Sequence, residues 1–253
     1  MLEVGKEKEL VGQGIVLYGS NDPDELVDQC ARDLEKGLSD PFREEEFLVQ
    51  SSGMGTWVQL QLADRLGIFA RAKFRFPEDT LWMILRGFLE HCPKKNLFTK
   101  EVMAWKIFDL LSGRIERNPE IFASVARYVG EGEDRNGDRT FRLCRQIAFL
   151  FDSYLTYRPE MIIDWQAGKL PGGGDLWQGL LWEDLRAALG QKSLPELVNE
   201  LGSEPNPKNP ERMPGRLSVF GISTLPPIFL NVLQAYGRFR PLRIYALQPA
   251  PVM

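Results

Sequence analysis

The segment Phe47-Leu-Val-Gln-Ser-Ser-Gly-Met-Gly-Thr-Trp57 constrains the fold more than any other part of the chain. Its first four residues read as a short buried strand, Ser51-Ser52-Gly53 as a tight turn, and Thr56 to Leu66 as a helix. Trp57, Leu60, Leu62 and Leu66 fall broadly on one apolar side of that helix. A strand that runs into a helix through so short a turn points to parallel strands joined by right-handed crossovers. The same turn places backbone N–H groups and small hydroxyls where they can hold a phosphate.

The alternation recurs on both sides. Gly14-Ile-Val-Leu-Tyr18 reads as a buried strand, and Ser20-Asn21-Asp22-Pro23 supplies a cap and an N1 proline for a helix from Asp24 to Lys36. Near the end of the chain, strands are expected at Leu217 to Ile222 and Leu242 to Leu247, with a helix from Leu225 to Tyr236 between them. Between Asp79 and Leu201 the spacing is helical: Leu81-Trp82 with Leu85 and Phe88, Trp105 with Phe108 and Leu111, and Phe141 with Leu143, Ile147 and Leu150. A loop rich in Pro, Asn and Gly from Gly202 to Gly215 breaks regular structure. The expected organisation is a loose polar tail over residues 1–13, an α/β part over 14–78, an all-helical insertion over 79–212, and a return of the α/β part over 213–253. The parallel sheet should hold about four strands or more.

Composition excludes several classes. The 253 residues, 43% hydrophobic and 26% charged, suit a globular chain with a proper core. No apolar run approaches the roughly 18 residues of a membrane helix, and the polar, acidic start does not resemble a signal peptide, so the cytoplasm is expected. Cys30, Cys92 and Cys144 are too far apart for a CxxC metal site, and their odd number argues against a disulfide framework. A net charge of −4 disfavours a cationic coat for DNA and leaves room for a local basic groove. His91, the single histidine, sits in His91-Cys92-Pro93 at the end of a helical segment and reads as a solvent residue.

Two catalytic chemistries find no support. A nucleotide motor needs G-x-x-x-x-G-K-[ST] after its first strand, because the lysine and hydroxyl hold the phosphates and Mg²⁺. Here that strand is followed by Gly19-Ser-Asn-Asp-Pro-Asp-Glu25, and the Gly-Lys pairs at Lys6 and Lys169 precede Glu7 and Leu170. The D/E-x-K pair of metal-dependent nucleases is missing too, since no lysine has an acid two positions before it. No cofactor and no metal is expected.

What remains suits single-stranded nucleic acid. Gln50, Ser51, Ser52 and Gly53 offer an amide, two hydroxyls and bare backbone. Trp57, Phe74, Phe76 and Trp82 are interleaved with Arg65, Arg71, Lys73 and Arg75, as a sequence-tolerant strand channel requires. Trp57 and Trp82 also lie on apolar helix faces, which favours the core, and Arg71, Lys73 and Arg75 serve equally as a solvated strand face. Arg135, Arg139, Arg142 and Arg145 recur at helical spacing, diluted by Asp134 and Asp138, and Arg238, Arg240 and Arg243 cluster near the end.

Leu48 to Ile68, Met103 to Leu111, Phe151-Asp-Ser-Tyr-Leu-Thr-Tyr-Arg-Pro159, Trp177-Gln178 with Leu181-Trp182, and Val219 to Pro227 together resemble the RecC family, the gamma chains of exodeoxyribonuclease V. The resemblance implies the N-terminal part of a longer protein, an inactivated superfamily 1 helicase-like (P-loop NTPase-like) domain without catalytic residues. It also implies RecB-like and RecD-like partner subunits that supply motor and nuclease, and a tunnel that receives the unwound 3′ strand of single-stranded DNA and scans it for Chi. The tunnel positions it implies are Gln50, Ser52, Thr56, Phe76, Trp82, Leu150, Asp152 and Arg158. The family's best-known member carries Thr, Gln, Leu and Asp where this chain has Ser52, Thr56, Phe76 and Phe149. A protein-interaction module without DNA binding is the rival expectation.

Overall fold

The computed structural model describes residues 8–9, 14–37, 43–130, 137–202 and 206–248. The chain divides into two compact units, one made of residues 1–91 with 201–253 and one of residues 92–200.

The first unit is built on a sheet. Strands β1 (Lys8–Glu9), β2 (Ile15–Ser20), β3 (Glu45–Val49), β4 (Ala72–Arg75), β5 (Leu217–Phe220) and β6 (Leu242–Leu247) lie in the order β1-β2-β6-β5-β3-β4. All pairs are parallel except β1 on β2, so the fold is α/β with five parallel strands. The expected loose tail is corrected at Lys8–Glu9, which pairs with Leu17 and Val16 and so satisfies the open edge of β2. The other residues of that tail lie outside the described ones.

The last two strands, β5 and β6, insert between β2 and β3. Ile15 faces Leu242, and Phe47 faces Ser218. Flanked on both sides, β5 is buried at every position, which is why it reads as an unbroken apolar run around one serine.

Four helices cover the sheet: α1 (Pro23–Glu35), α2 (Ser52–Leu66), α3 (Pro77–Phe88) and α10 (Pro227–Gly237). Asp22 caps α1 by accepting the Asp24 N–H at 2.9 Å, with Pro23 at the first helical position. Leu26, Val27 and Cys30 of α1 and Val58 and Leu62 of α2 share a core with Phe47, Val49, Phe220 and Tyr245. An aromatic row crosses this face of the sheet: Tyr18 stacks on Tyr245 at 5.3 Å, and Tyr245 on Phe220 at 5.6 Å. Phe47 stacks on Phe74 at 5.0 Å. By alternation Leu48 and Val219 point to the other face, where α3 and α10 pack. At the α10 end the backbone approach is close, since a Cβ on Gly14 would stand 2.4 Å from the Gly237 carbonyl oxygen.

Helix α2 corrects two expectations. It begins at Ser52, four residues before Thr56, because Ser51 caps it and accepts the Met54 N–H at 3.2 Å. Its buried side is Gly55, Val58 and Leu62, while Leu60 is 61% exposed. Helix α3 belongs to the sheet unit and not to the helical insertion expected from residue 79. It packs against α10 and β3, and its end is tied to the 206–212 segment, where the Asn209 N–H donates to the Gly87 carbonyl at 2.8 Å. That segment also holds one 3-10 turn, Pro210–Arg212.

A polar clamp fixes α1 to three parts of the sheet. Asp33, 6% exposed, accepts the Tyr245 hydroxyl at 2.8 Å and the Tyr18 hydroxyl at 3.3 Å. Its backbone carbonyl accepts Arg216 Nη1 at 2.8 Å, and Arg216 is also paired with Glu45. Burial pulls the Arg216 guanidinium down, but the Glu45 hydrogen bonds and charge outweigh it and hold the group above its ordinary range. Burial likewise raises the thiols of Cys30 and Cys144 to about 12, which leaves both inert.

The second unit is helical: α4 (Lys100–Arg117), α5 (Ala123–Gly130), α6 (Asp138–Tyr157), α7 (Pro159–Gln166), α8 (Leu176–Leu189) and α9 (Leu194–Leu201), which ends at the boundary. Trp182, fully buried, lies 5.5 Å from Phe98 and 5.4 Å from Phe151. Met103, Ile107, Cys144, Ile147 and Leu185 complete the core. Arg114 ties α4 to α8 through Asp184 at 2.7 Å. Before α9 the Ser193 N–H donates to Glu196 at 2.7 Å, half of a capping box. Among the described residues no helix is long and apolar enough to cross a membrane.

Two outcomes follow from these pairings. Arg216→Ala leaves Glu45 and the Asp33 carbonyl without a partner in a mostly buried setting, and should lower stability by about 3–5 kcal/mol in urea unfolding. Glu45→Gln keeps an acceptor oxygen and should lower it less. Burial pushes the Glu196 carboxyl up, but hydrogen bonds from Arg186 and Ser193 bring it below the usual range. A depressed folded value means that this stabilisation is full above the unfolded value of about 4.3 and is lost as pH falls through the folded one. Glu196→Gln should therefore lower stability at neutral pH and reduce the loss between neutral and acid pH, as read by denaturation across that range.

Candidate nucleic-acid interface

The turn between β3 and α2 lies at the carboxyl end of the sheet, and Gln50, Ser51, Ser52, Gly53 and Thr56 are all exposed there. Its chemistry follows from the capping. Ser51 uses its hydroxyl on the Met54 N–H and its carbonyl on the Gly55 N–H at 3.1 Å. The N–H groups of Ser52 and Gly53 have no intrahelical acceptor, and no acid stands in the first turn of α2. The positive end of the helix is thus presented beside an amide and a hydroxyl, an arrangement that suits an anion.

The turn between β2 and α1 is the opposite case. Asp22 occupies the helix end, Asp24 and Glu25 stand in its first turn, and the Ser20 hydroxyl donates to Glu25 at 2.6 Å. A Cβ at Gly19 would meet the Gln248 side chain at 2.3 Å, so the space over that backbone is filled. Three carboxylates and an occupied approach repel a nucleotide phosphate.

The remaining expected positions of the sheet unit separate by burial. Phe76, at the cap of α3, is 46% exposed and offers an open ring. Trp82 is 6% exposed and part of the core, so its ring is closed to stacking. It falls among Leu81, Ile84, Leu85 and Phe88, all buried, and the apolar helix face prevails. Arg75 is paired with Glu46 of the neighbouring strand at 2.5 Å and half-buried; the pairing keeps the guanidinium raised and turns it to structural use. Arg65 binds Asp28 at 2.5 Å and Asp24 at 3.3 Å, which joins α2 to α1. Trp57 is half-buried near Phe220. Arg71 and Lys73 are exposed, and so is His91.

In the helical unit Leu150 and Asp152 lie half-buried on α6, and Asp152 is paired with Lys100 at 3.2 Å. Arg158, exposed at the junction of α6 and α7, lies over the Tyr154 ring at 5.8 Å.

A groove between α4 and α6 went unpredicted. It measures about 620 Å³, and its lining is mostly apolar. Trp105 and Phe149, each 59% exposed, stand on it, with Phe141 4.4 Å from Trp105. The helical spacing assigned Trp105 to the core; the buried face of α4 is instead Met103, Ala104, Ile107 and Leu111. Lys100, Arg142 and Arg145 line the groove, with Lys100 5.2 Å from the centre of the Phe149 ring. Arg139 instead lies over Tyr128 at 4.5 Å, and Arg135 is outside the described residues. The signal for the groove was available: Trp105 stands between Glu101 and Asp109 at i±4, a polar face rather than an apolar one. Among the described residues no group of His, Cys, Asp and Glu could hold a metal ion.

Comparison with known proteins matches this arrangement to one family. The family described as RecC, N-terminal domain, matches residues 15–253. The RecBCD enzyme subunit RecC of Escherichia coli (strain K12) is 35% identical over 217 residues, which cover 79% of this chain and 18% of that protein. The subunit of the same name from Haemophilus influenzae is 32% identical over 230 residues, covering 78% and 20%. That of Mycolicibacterium smegmatis is 29% identical over 244 residues, covering 94% and 21%. The chain thus spans about a fifth of the length of these relatives. With a family match over nearly its whole length and a relative above 30% identity, the chain belongs to the RecC family, as an N-terminal domain.

Proposed function

We propose that the chain is the N-terminal, non-catalytic part of the gamma subunit of an exodeoxyribonuclease V, a RecBCD-type helicase-nuclease of double-strand break repair and recombination. In this reading it lines the channel for the unwound 3′ single strand and takes part in scanning that strand for Chi, while RecB-like and RecD-like subunits supply ATP hydrolysis and strand cleavage. The observation that carries the reading is the family match over residues 15–253. The open β3–α2 turn supports it, with two amides that have no intrahelical acceptor and no acid in the first turn of α2. So does the α4–α6 groove, where exposed aromatics stand beside arginines, the pairing a sequence-tolerant single-strand site uses.

We read the sheet as that of a helicase-like domain that has lost its nucleotide site. The acidic β2–α1 turn, which has no lysine, supports this. A second reading, a protein-docking module without DNA binding, draws on the apolar lining of the same groove.

Affinity for oligothymidylate separates the two. The chain should bind it at low salt, with log K falling by about 0.7 per log unit of salt for each phosphate neutralised. Trp105→Ala should lower affinity by about 1–3 kcal/mol with little change in melting. Trp82→Ala should instead lower folding stability by about 3–5 kcal/mol. If no binding is seen at low salt, the docking reading stands and the channel reading falls. For the nucleotide site the expected result is an unchanged melting temperature with ATP and Mg²⁺. A functional site at a hundred times Kd would add about 2.7 kcal/mol, and a saturable rise of that kind would refute its loss.

A further inference from the structure

The amino end of the sheet holds a pocket that the reading above does not use. It measures about 300 Å³ and, among the described residues, is lined by Arg43, Arg216, Arg240 and Arg243 with two glycines and a proline. Arg43, Arg216 and Arg240 stand just before β3, β5 and β6, and Arg243 is the second residue of β6, all at the end of the sheet opposite the Gln50–Gly53 turn.

The four are not equivalent. Arg216 is 8% exposed and fixed by Glu45 and the Asp33 carbonyl. Arg243 stands 3.9 Å from Asp33 and donates to the Gly14 carbonyl at 3.5 Å. Two carboxylates therefore balance two guanidinium groups. Arg43 and Arg240 have no ion pair among the described residues. Among the described residues the lining thus carries two positive charges in excess and no carboxylate. Two unbalanced like charges in so small a space repel one another unless an anion enters, and guanidinium forks suit phosphate oxygens.

We propose that this pocket binds a phosphate group, gripped by Arg43 and Arg240 against the fixed wall of Arg216 and Arg243. A phosphate carries about −1.5 to −2 charges at neutral pH, which matches the excess. The group can come from a free phosphate or from a nucleic-acid backbone.

The test uses the full chain, titrated with inorganic phosphate at ionic strength held constant with chloride, and follows the melting temperature. Wild type should show a saturable rise. In the Arg43→Gln/Arg240→Gln double variant half-saturation should move up by about tenfold or more. Without phosphate the double variant should melt at or above wild type, because two unpaired like charges are gone. A rise that does not saturate, or one equal in both proteins, overturns the proposal, as does a double variant that melts lower without phosphate. An oligothymidylate arm identifies the source. Binding lost with the same two arginines assigns the phosphate to a nucleic-acid backbone, and a phosphate effect without it assigns a free anion. A double-variant-sensitive shift with oligoglutamate and none with phosphate marks a carboxylate site for a protein segment, and overturns it.

Discussion

The sheet unit depends on the pairing of chain segments more than two hundred residues apart. Ile15 lies beside Leu242 in parallel register, and β5 and β6 fill the space between β2 and β3. Until they arrive, the aromatic row from Tyr18 to Phe74 lacks its middle members, Tyr245 and Phe220. Loop closure over such a span is an entropic cost met late by burial, so parallel pairing of this kind is slow and cooperative. The helical unit, made of consecutive helices with their own core, carries no such requirement.

The polar clamp follows from the same geometry. Arg216 arrives with β5 and Tyr245 with β6, and both meet Asp33, which is already placed by α1. Buried charge is unfavourable unless each partner is present. The clamp therefore penalises a sheet assembled in another order, because a different neighbour would leave Asp33 or Arg216 unpaired. It also divides the sheet unit electrically. Arginines collect at the amino ends of the strands, whereas at the carboxyl ends the β2–α1 turn is acidic and the β3–α2 turn neutral and open.

Much of this was legible in the sequence, because short signals with a single physical meaning survive folding. Asp22-Pro23 marked the start of α1 in advance, and the apolar runs at Val16, Leu48, Val219 and Ile244 marked four of the five parallel strands. What stayed hidden depends on partners distant in the chain. Nothing near Arg75 announces Glu46, and nothing near Arg65 announces Asp28, so both arginines read as free for phosphate. Likewise α3 has helical spacing like its successors. Its contacts with α10, with β3 and with Asn209 attach it to the sheet unit.

The tryptophans show what decides between core and surface when the residue type is the same. Trp82 has buried neighbours at i+2, i+3 and i+6, so every rotation of its helix that buries them buries it as well. Trp105 follows Met103 and Ala104 and precedes Ile107, and these three claim the inner face of α4. With 100° between successive residues, position 105 is carried past the edge of that face. Its ring then covers Phe141 from outside and stays in contact with water. An aromatic ring held at such an edge keeps one open surface without weakening the core beneath it. That condition is the one a stacking platform needs, and Trp82 cannot meet it.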